Sequence, residues 1–462
     1  MATVAWCGGA PVVEHVGTIT IANTWAANDT LTVTINGKAM VLTIGATATT
    51  TQVATELAAA WEGSALGTGY SVNFKGTEVP EFYELIATVS GSVVTLMERT
   101  INDVTEGKSF TVAATESTAG TGTATYATVT AGTGPYTYTN TANWAGLSLP
   151  ANTDTIVFQG PYACKYLLDV SGTLTTCTIR VMADFPQLGL PRFNDSIELA
   201  SGADGTYEEY RDQYLKTNTG GTITLYVGEG EGDGPTLVRV DSQTSAMNTY
   251  VFKTGTALID NAPVVFCKTV NASSSVDVFD GSAGAGIYPD EAASIGGGVS
   301  VNGANATFLA GPLAVVDAVT CFGGTVNIYN AIGSGGTLNA SDAGTINVFG
   351  LPATNTVLRA YGGTINLLGR VTTLGGVYIS KGTTGNIGVV SFGSNQGGGV
   401  TLTLTTVKIY SAGCVLNVPG YRALVVTNDI LLATGLTPDD VTLVIPSAHA
   451  STTAKIKLEA QF

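Results

Sequence analysis

Between residues 323 and 392, apolar and polar positions alternate in short runs that recur at a fixed interval. The phrase Gly-Thr-apolar-Asn stands at Gly324-Thr325-Val326-Asn327, Gly344-Thr345-Ile346-Asn347 and Gly363-Thr364-Ile365-Asn366, with a degraded copy at Thr384-Gly385-Asn386-Ile387. The successive threonines are 20, 19 and 20 residues apart. A second set of β-prone runs, at 337–339, 357–360, 377–379 and 400–402, trails the first by about 12 residues, so each period holds two strands. Val326 and Ile328, Ile346 and Val348, and Ile365 and Leu367 occupy alternate places, which sends aliphatic side chains to one face and Thr or Asn to the other. A unit this short cannot bury its own apolar face, so neighbouring units must complete one another's core. Helical repeats of similar length would need apolar spacings of 3 and 4 and few Gly or Thr. The expected fold is therefore mainly β: a small N-terminal α+β domain followed by a right-handed parallel β-helix of about 20-residue coils. The paired glycines are expected at corners, where the chain turns tightly or takes positive φ. Asn327, Asn347 and Asn366 are expected to stack as an amide ladder, with a glycan-binding stripe as the sharper alternative.

Before the repeat, the pattern is different. Residues 1–16 read as an N-terminal arm that packs on something through Trp6. From 17 to 115 the order is β-β-β-α-β-β, with strands at 17–22, 30–35 and 39–44 and a type I′ hairpin at Asn36-Gly37. Thr49-Thr50-Thr51 caps a helix over 52–61 whose Val53, Leu57 and Trp61 share one face. Strands are expected at 82–89 and 92–98, joined at Ser90-Gly91, and a further one at 109–114. The runs Trp25-Ala26-Ala27-Asn28-Asp29-Thr30-Leu31-Thr32-Val33-Thr34-Ile35-Asn36-Gly37 and Thr51-Gln52-Val53-Ala54-Thr55-Glu56-Leu57 resemble a small domain of tailed-bacteriophage structural proteins. That resemblance covers roughly a fifth of the chain and implies a docking module on a virion.

Residues 116–142 are rich in Thr, Gly, Ala and Tyr, with little apolar periodicity, and read as a linker. The text then changes at Asn143-Trp144-Ala145-Gly146 and at 149–158, where a Trp and a Pro-x-x-x-Asp turn lead into a strand. This is similar to the opening coil of phage and bacterial-surface β-solenoids, and its physical reading is an apolar cap over the first coil. The β-helix is expected over 143–440, interrupted near 195–215 and 287–294. Some 290 residues allow on the order of 12 to 14 coils and, at about 4.8 Å each, a rod of roughly 60 to 70 Å. Residues 441–462 alternate again at Ile456 and Leu458 and are expected to cap the last coil or to contact another subunit.

Composition narrows the function. With 58 Gly, 12% charged and 44% hydrophobic residues, the 462-residue chain is too apolar for disorder and too Gly-rich for a helical protein. A net charge of −16 opposes a nucleic-acid partner. No apolar run reaches the roughly 18 residues of a membrane span, and residues 1–7 lack the basic and apolar regions of a signal peptide. The six cysteines are far apart and read as small buried hydrophobes in a reducing compartment; Cys164 and Cys177 are close enough in sequence to meet across a hairpin. The two histidines, His15 and His449, have no motif around them, and Gly296-Gly297-Gly298 and Gly397-Gly398-Gly399 lack the Lys-Ser/Thr of a phosphate loop.

Two clusters are candidates for chemistry. Glu229, Glu231 and Asp233 alternate with glycines and can wrap a Ca²⁺, or else form a solvated turn. Tyr207, Glu208, Glu209, Tyr210, Asp212 and Tyr214 have the acid-plus-aromatic composition of a glycan cleft, or pack against a neighbouring coil or subunit. No catalytic residue, cofactor or metal is assigned. The combined expectation is a non-enzymatic virion structural protein, a capsid decoration or head-fibre-like appendage. The resemblance implies a virion-surface location after assembly in the host cytoplasm, a homo-oligomer, by analogy a trimer, and contact with the major capsid protein or another virion protein. The alternative is a receptor-binding tail fibre or tailspike that recognises host surface polysaccharide, with or without cleaving it.

Overall fold

The computed structural model describes residues 2–101, 104–117, 119–194, 199, 207–217, 220–259, 261–330, 332–393, 400–444 and 456–458. A parallel β-solenoid of about 12 turns runs from about residue 155 to 444. Among the described residues it is built from two long parallel sheets of 16 and 12 strands. The repeat phrases stack in register: Thr325–Ile328 pairs with Thr345–Val348, which pairs with Thr364–Leu367. In each, the aliphatics are buried and Thr and Asn face outward. Val326, Ile346, Ile365, Val390 and Leu416 thus form one continuous internal column. Leu338, Leu358, Val377 and Val407 form a column from the other sheet.

Two expected repeats are displaced. The degraded phrase at Thr384-Gly385-Asn386-Ile387 lies outside the sheet, and Val389–Phe392 takes the rung above Thr364–Leu367 instead. Similarly, Val377 pairs with Val407, the strand being Thr401–Ile409, so 400–402 is not its partner. Both shifts follow from extra residues between strands: register is set by which aliphatics reach the core, and a loop absorbs the surplus.

The glycines preceding the repeated threonines serve close approach rather than positive φ. A Cβ on Gly344 would lie 2.2 Å from the carbonyl oxygen of Cys321, in the opposite sheet of the preceding coil, and one on Gly324 would lie 2.1 Å from that of Ala306.

The solenoid begins earlier than the pattern indicated. Thr3–Trp6, in the expected arm, pairs in parallel with Thr155–Phe158 and forms the first rung. Trp6 and Trp144 pack edge to face at 5.1 Å, and Trp144 meets Tyr138 and Phe158 at 5.0 and 5.7 Å, closing the core at this end. The Pro-x-x-x-Asp turn is fixed by Asp154, whose carboxylate accepts the N–H groups of Ala2 and Ala151, each at 2.9 Å. At the other end, Ile456–Leu458 pairs with Ile430–Leu432 and Thr442–Val444 with Val415–Asn417; the rest of the expected cap, His449 and Gly397-Gly398-Gly399 lie outside the described residues.

The N-terminal domain has two four-stranded antiparallel sheets and the helix Thr50–Trp61. Thr49 caps that helix reciprocally with Gln52, and Val53, Leu57 and Trp61 are fully buried. Asn36 and Gly37 have φ of 45° and 93°, as a I′ turn demands. Two expectations fail here. Phe82 sits in a short helix, Pro80–Tyr83, and the strand starts at Leu85, because Pro at the first helical position favours a turn and Phe82 packs on Trp61 with ring centres 4.8 Å apart. The expected linker contains the strand Thr123–Thr130, paired with Val16–Ala22. Ala127 and Val129 are exposed in it while Ala124 is buried, so apolar residues fall on both faces and the alternation is weak.

Candidate functional site

The acid-plus-aromatic segment at 207–214 belongs to a junction between the N-terminal domain and the solenoid. Its position is set at both ends: Tyr207–Glu208 pairs with Phe193–Asn194, and Leu215–Lys216 pairs with Leu237–Asp241 of the second solenoid sheet. From the N-terminal domain comes Glu84, at the end of the Pro80–Tyr83 helix, with its side chain fully buried. Glu84 is held by Lys108 Nζ at 2.8 Å, by the Arg211 guanidinium and by the Tyr210 hydroxyl. Burial alone would raise the Glu84 pKa, but Arg211 and Lys108 reverse this and hold it at about 2.

A second carboxylate reinforces the junction. Glu106 pairs with Lys165 at 3.0 Å and accepts the Tyr166 hydroxyl, both from the solenoid side. Its pKa is lowered too, the lysines Lys165 and Lys108 outweighing burial. The loop carrying Glu106 and Lys108 is shaped by Glu98, which accepts the N–H groups of Glu106, Gly107 and Lys108 at 3.1, 3.1 and 3.0 Å. Two small cavities, about 210 and 200 Å³, lie beside Arg211.

The remaining members of the segment have separate duties. Glu208 pairs with Arg192 at 2.7 Å, and buried Glu209 lies 3.5 Å from Arg211. Asp212 pairs with Lys216 one helical turn's spacing away in sequence. Tyr214 belongs to an arginine cage that sequence reasoning missed. Arg239, fully buried, donates to the Tyr214 hydroxyl at 2.7 Å and to Glu291 at 2.9 Å, and its guanidinium lies 4.2 Å from the Tyr214 ring and 4.7 Å from that of Phe266. In Leu237-Val238-Arg239-Val240-Asp241 the arginine stands at an outward position, which reads as solvent-facing. Only the loops that return over this sheet, contributing Tyr214, Tyr288 and Glu291, bury it. Tyr207 takes part through its backbone pairing.

The acidic turn is not a closed ligand set. Glu229 pairs with Arg180 at 2.6 Å, whereas Glu231 and Asp233 are exposed. Among the described residues no group of three or more metal-ligating side chains converges. Gly228, Gly230 and Gly234 have φ of 80°, 87° and 90°, so this is a turn that only glycine adopts easily.

The asparagine ladder forms: Asn347 donates to Asn327 at 2.9 Å and Asn366 to Asn347 at 2.9 Å. Further up the same column, Asn417 donates to Ser391 at 3.2 Å. All six cysteines are free; five are buried, but Cys7, which follows the first rung, is exposed. His15 is buried, lies 3.0 Å from the Tyr126 hydroxyl, and has its pKa lowered by burial. No helix is long and apolar enough to cross a membrane among the described residues.

Fold and junction together define the class: a parallel β-solenoid protein with a small β-rich domain clamped to its N-terminal coils. No protein-family model matches the chain, and a search of curated proteins finds no match.

Proposed function

We propose that this is a non-enzymatic structural appendage, a capsid decoration or head-fibre-like protein of a tailed-phage virion. In this reading the N-terminal domain docks on the major capsid protein or another virion protein, and the solenoid projects from the surface. The observation that carries the structural role is the buried junction. Glu84 and Glu106 and their cations are spent on joining domain to rod, and Glu208, Glu209 and Asp212 also sit in ion pairs. A two-carboxylate hydrolase needs an acid and a base free to face a sugar. The virion assignment rests on the resemblance of residues 17–115 and 143–158 to phage proteins. The trimer rests on analogy with elongated virion appendages.

A receptor-binding fibre that holds polysaccharide is the second reading, favoured by an aromatic groove between Phe322 and Tyr410. Quantitative mass spectrometry of gradient-purified particles tests the first reading. The chain is expected in fixed stoichiometry to the major capsid protein, and its absence from intact particles would refute the proposal.

A further inference from the structure

Along one corner of the solenoid, residues at or just past the ends of strands of the 16-stranded sheet fall in a vertical column. Phe322, Ser341, Tyr361, Ser380 and Tyr410 occupy five successive rungs of it. The pairings Cys321 with Ala340, Ser341 with Tyr361, Tyr361 with Ser380 and Ile379 with Ile409 fix that order. Aromatic and serine positions therefore alternate. Two rungs separate successive aromatics, about 9.5 Å at the spacing of neighbouring strands.

Lower in the same column, and on another corner, the aromatics stand differently. Phe252 and Phe279 stand on adjacent rungs with rings 5.3 Å apart and nearly parallel, and Tyr329 and Phe349 stack at 4.5 Å. Those rings cover one another's faces. At Phe322, Tyr361 and Tyr410, a serine in the intervening rung leaves a slot instead. These residues line one groove of about 420 Å³, within the roughly 300–1,000 Å³ of ligand sites.

The polar groups at the groove are ordered. Asp342 accepts the Thr383 hydroxyl at 2.8 Å and the Thr384 N–H at 3.3 Å, while Lys381 and Thr383 also line the groove. Ser380 shares a hydrogen bond with Ser411 at 3.0 Å. A slot with aromatic residues above and below and a carboxylate, an ammonium and hydroxyls at its edge suits a pyranose. Sugar C–H faces pack on the negative faces of aromatic rings, and the equatorial hydroxyls meet donors and acceptors. An apolar peptide would make no use of the Lys381 ammonium or of the remaining acceptor capacity of Asp342, and a polyanion is opposed by the chain's net charge of −16.

We infer that the groove between Phe322 and Tyr410 binds a neutral oligosaccharide, with Tyr361 as its central platform and Asp342 as its hydroxyl acceptor. This inference does not depend on where the chain is mounted, so its test uses the purified protein alone. Saturation-transfer difference NMR and calorimetry are run with maltotetraose, cellotetraose, mannotetraose and N-acetylchitotetraose. At least one is expected to bind, with saturation on its ring protons. Tyr361→Ala should weaken it about tenfold or more, while Tyr361→Phe should leave it nearly unchanged. Ser380→Trp, which fills a slot without removing a platform, should also abolish binding, and Tyr329→Ala on another corner should have no effect. Circular dichroism melts confirm that each variant folds. Binding of none of the four sugars, equal binding by Tyr361→Ala, or burial of Tyr361 by a second copy of the chain in solution would overturn the inference.

Discussion

Glu84 shows how one side chain ties two bodies together. It is a buried carboxylate from a short helix in one domain, and it meets Lys108 from its own domain and Arg211 from the other. Breaking such a pair from one side leaves cations buried without a counter-charge, at a cost of about 3–5 kcal/mol. Glu84→Gln is therefore expected to lower the stability of the N-terminal domain by that amount in urea unfolding and to expose the junction to limited proteolysis. An unchanged unfolding midpoint would contradict the role given to Glu84. The same group predicts an acid response. Because its pKa in the folded state, about 2, lies below the ordinary 4.5, its contribution is complete above pH 4.5 and is lost as pH falls toward 2. A shift of that size corresponds to about 3 kcal/mol. Unfolding measured from pH 6 down to pH 2 should show this loss in wild type and a flatter profile in Glu84→Gln. None of this was legible in the sequence: Glu84 and Arg211 are 127 residues apart, and the Glu208 to Tyr214 segment has the same composition whether it lines a cleft or seals a joint.

The coils around the repeat are held by three things: an aliphatic column inside, an amide ladder outside, and glycines where the two sheets converge. The column and the ladder could be read directly, because a strand's side chains alternate and identical phrases stack. The reason for the glycines could not, since tight turning and close approach select the same residue. Gly344 places its Cα against the Cys321 carbonyl, so Gly344→Ala requires the backbone of two coils to move apart. It is expected to destabilise the rod by about 1–3 kcal/mol, as overpacking does. Asn347→Ala removes two hydrogen bonds of the ladder and should cost about 1–2 kcal/mol. Thermal unfolding of the two variants should rank accordingly, and full tolerance of Gly344→Ala would show that the coils are looser than the packing indicates. The misplaced rungs at Val389–Phe392 and Thr401–Ile409 have a common cause: a periodic reading carries the count forward, whereas the chain inserts residues between strands.

At the scale of the whole molecule, a rod of about 12 turns begins with a strand taken from the very start of the chain and passes a folded domain before it resumes. That entry explains why the first 16 residues read as an arm: Thr3–Trp6 gains its parallel partner from Thr155–Phe158, 152 residues later in register. A short strand with no local partner gives no hairpin signal. The domain between them is fixed to the rod by the Glu84 and Glu106 networks, so the two are expected to move as one. A rod with an attached base is the shape of a projecting appendage. Localising this chain by cryo-electron microscopy of intact virions tests that account most directly. It predicts a slender density of roughly 60 Å, about 12 strand spacings, rising from a base on the particle surface. Particles that carry no such density, with the protein found only outside them, would contradict it.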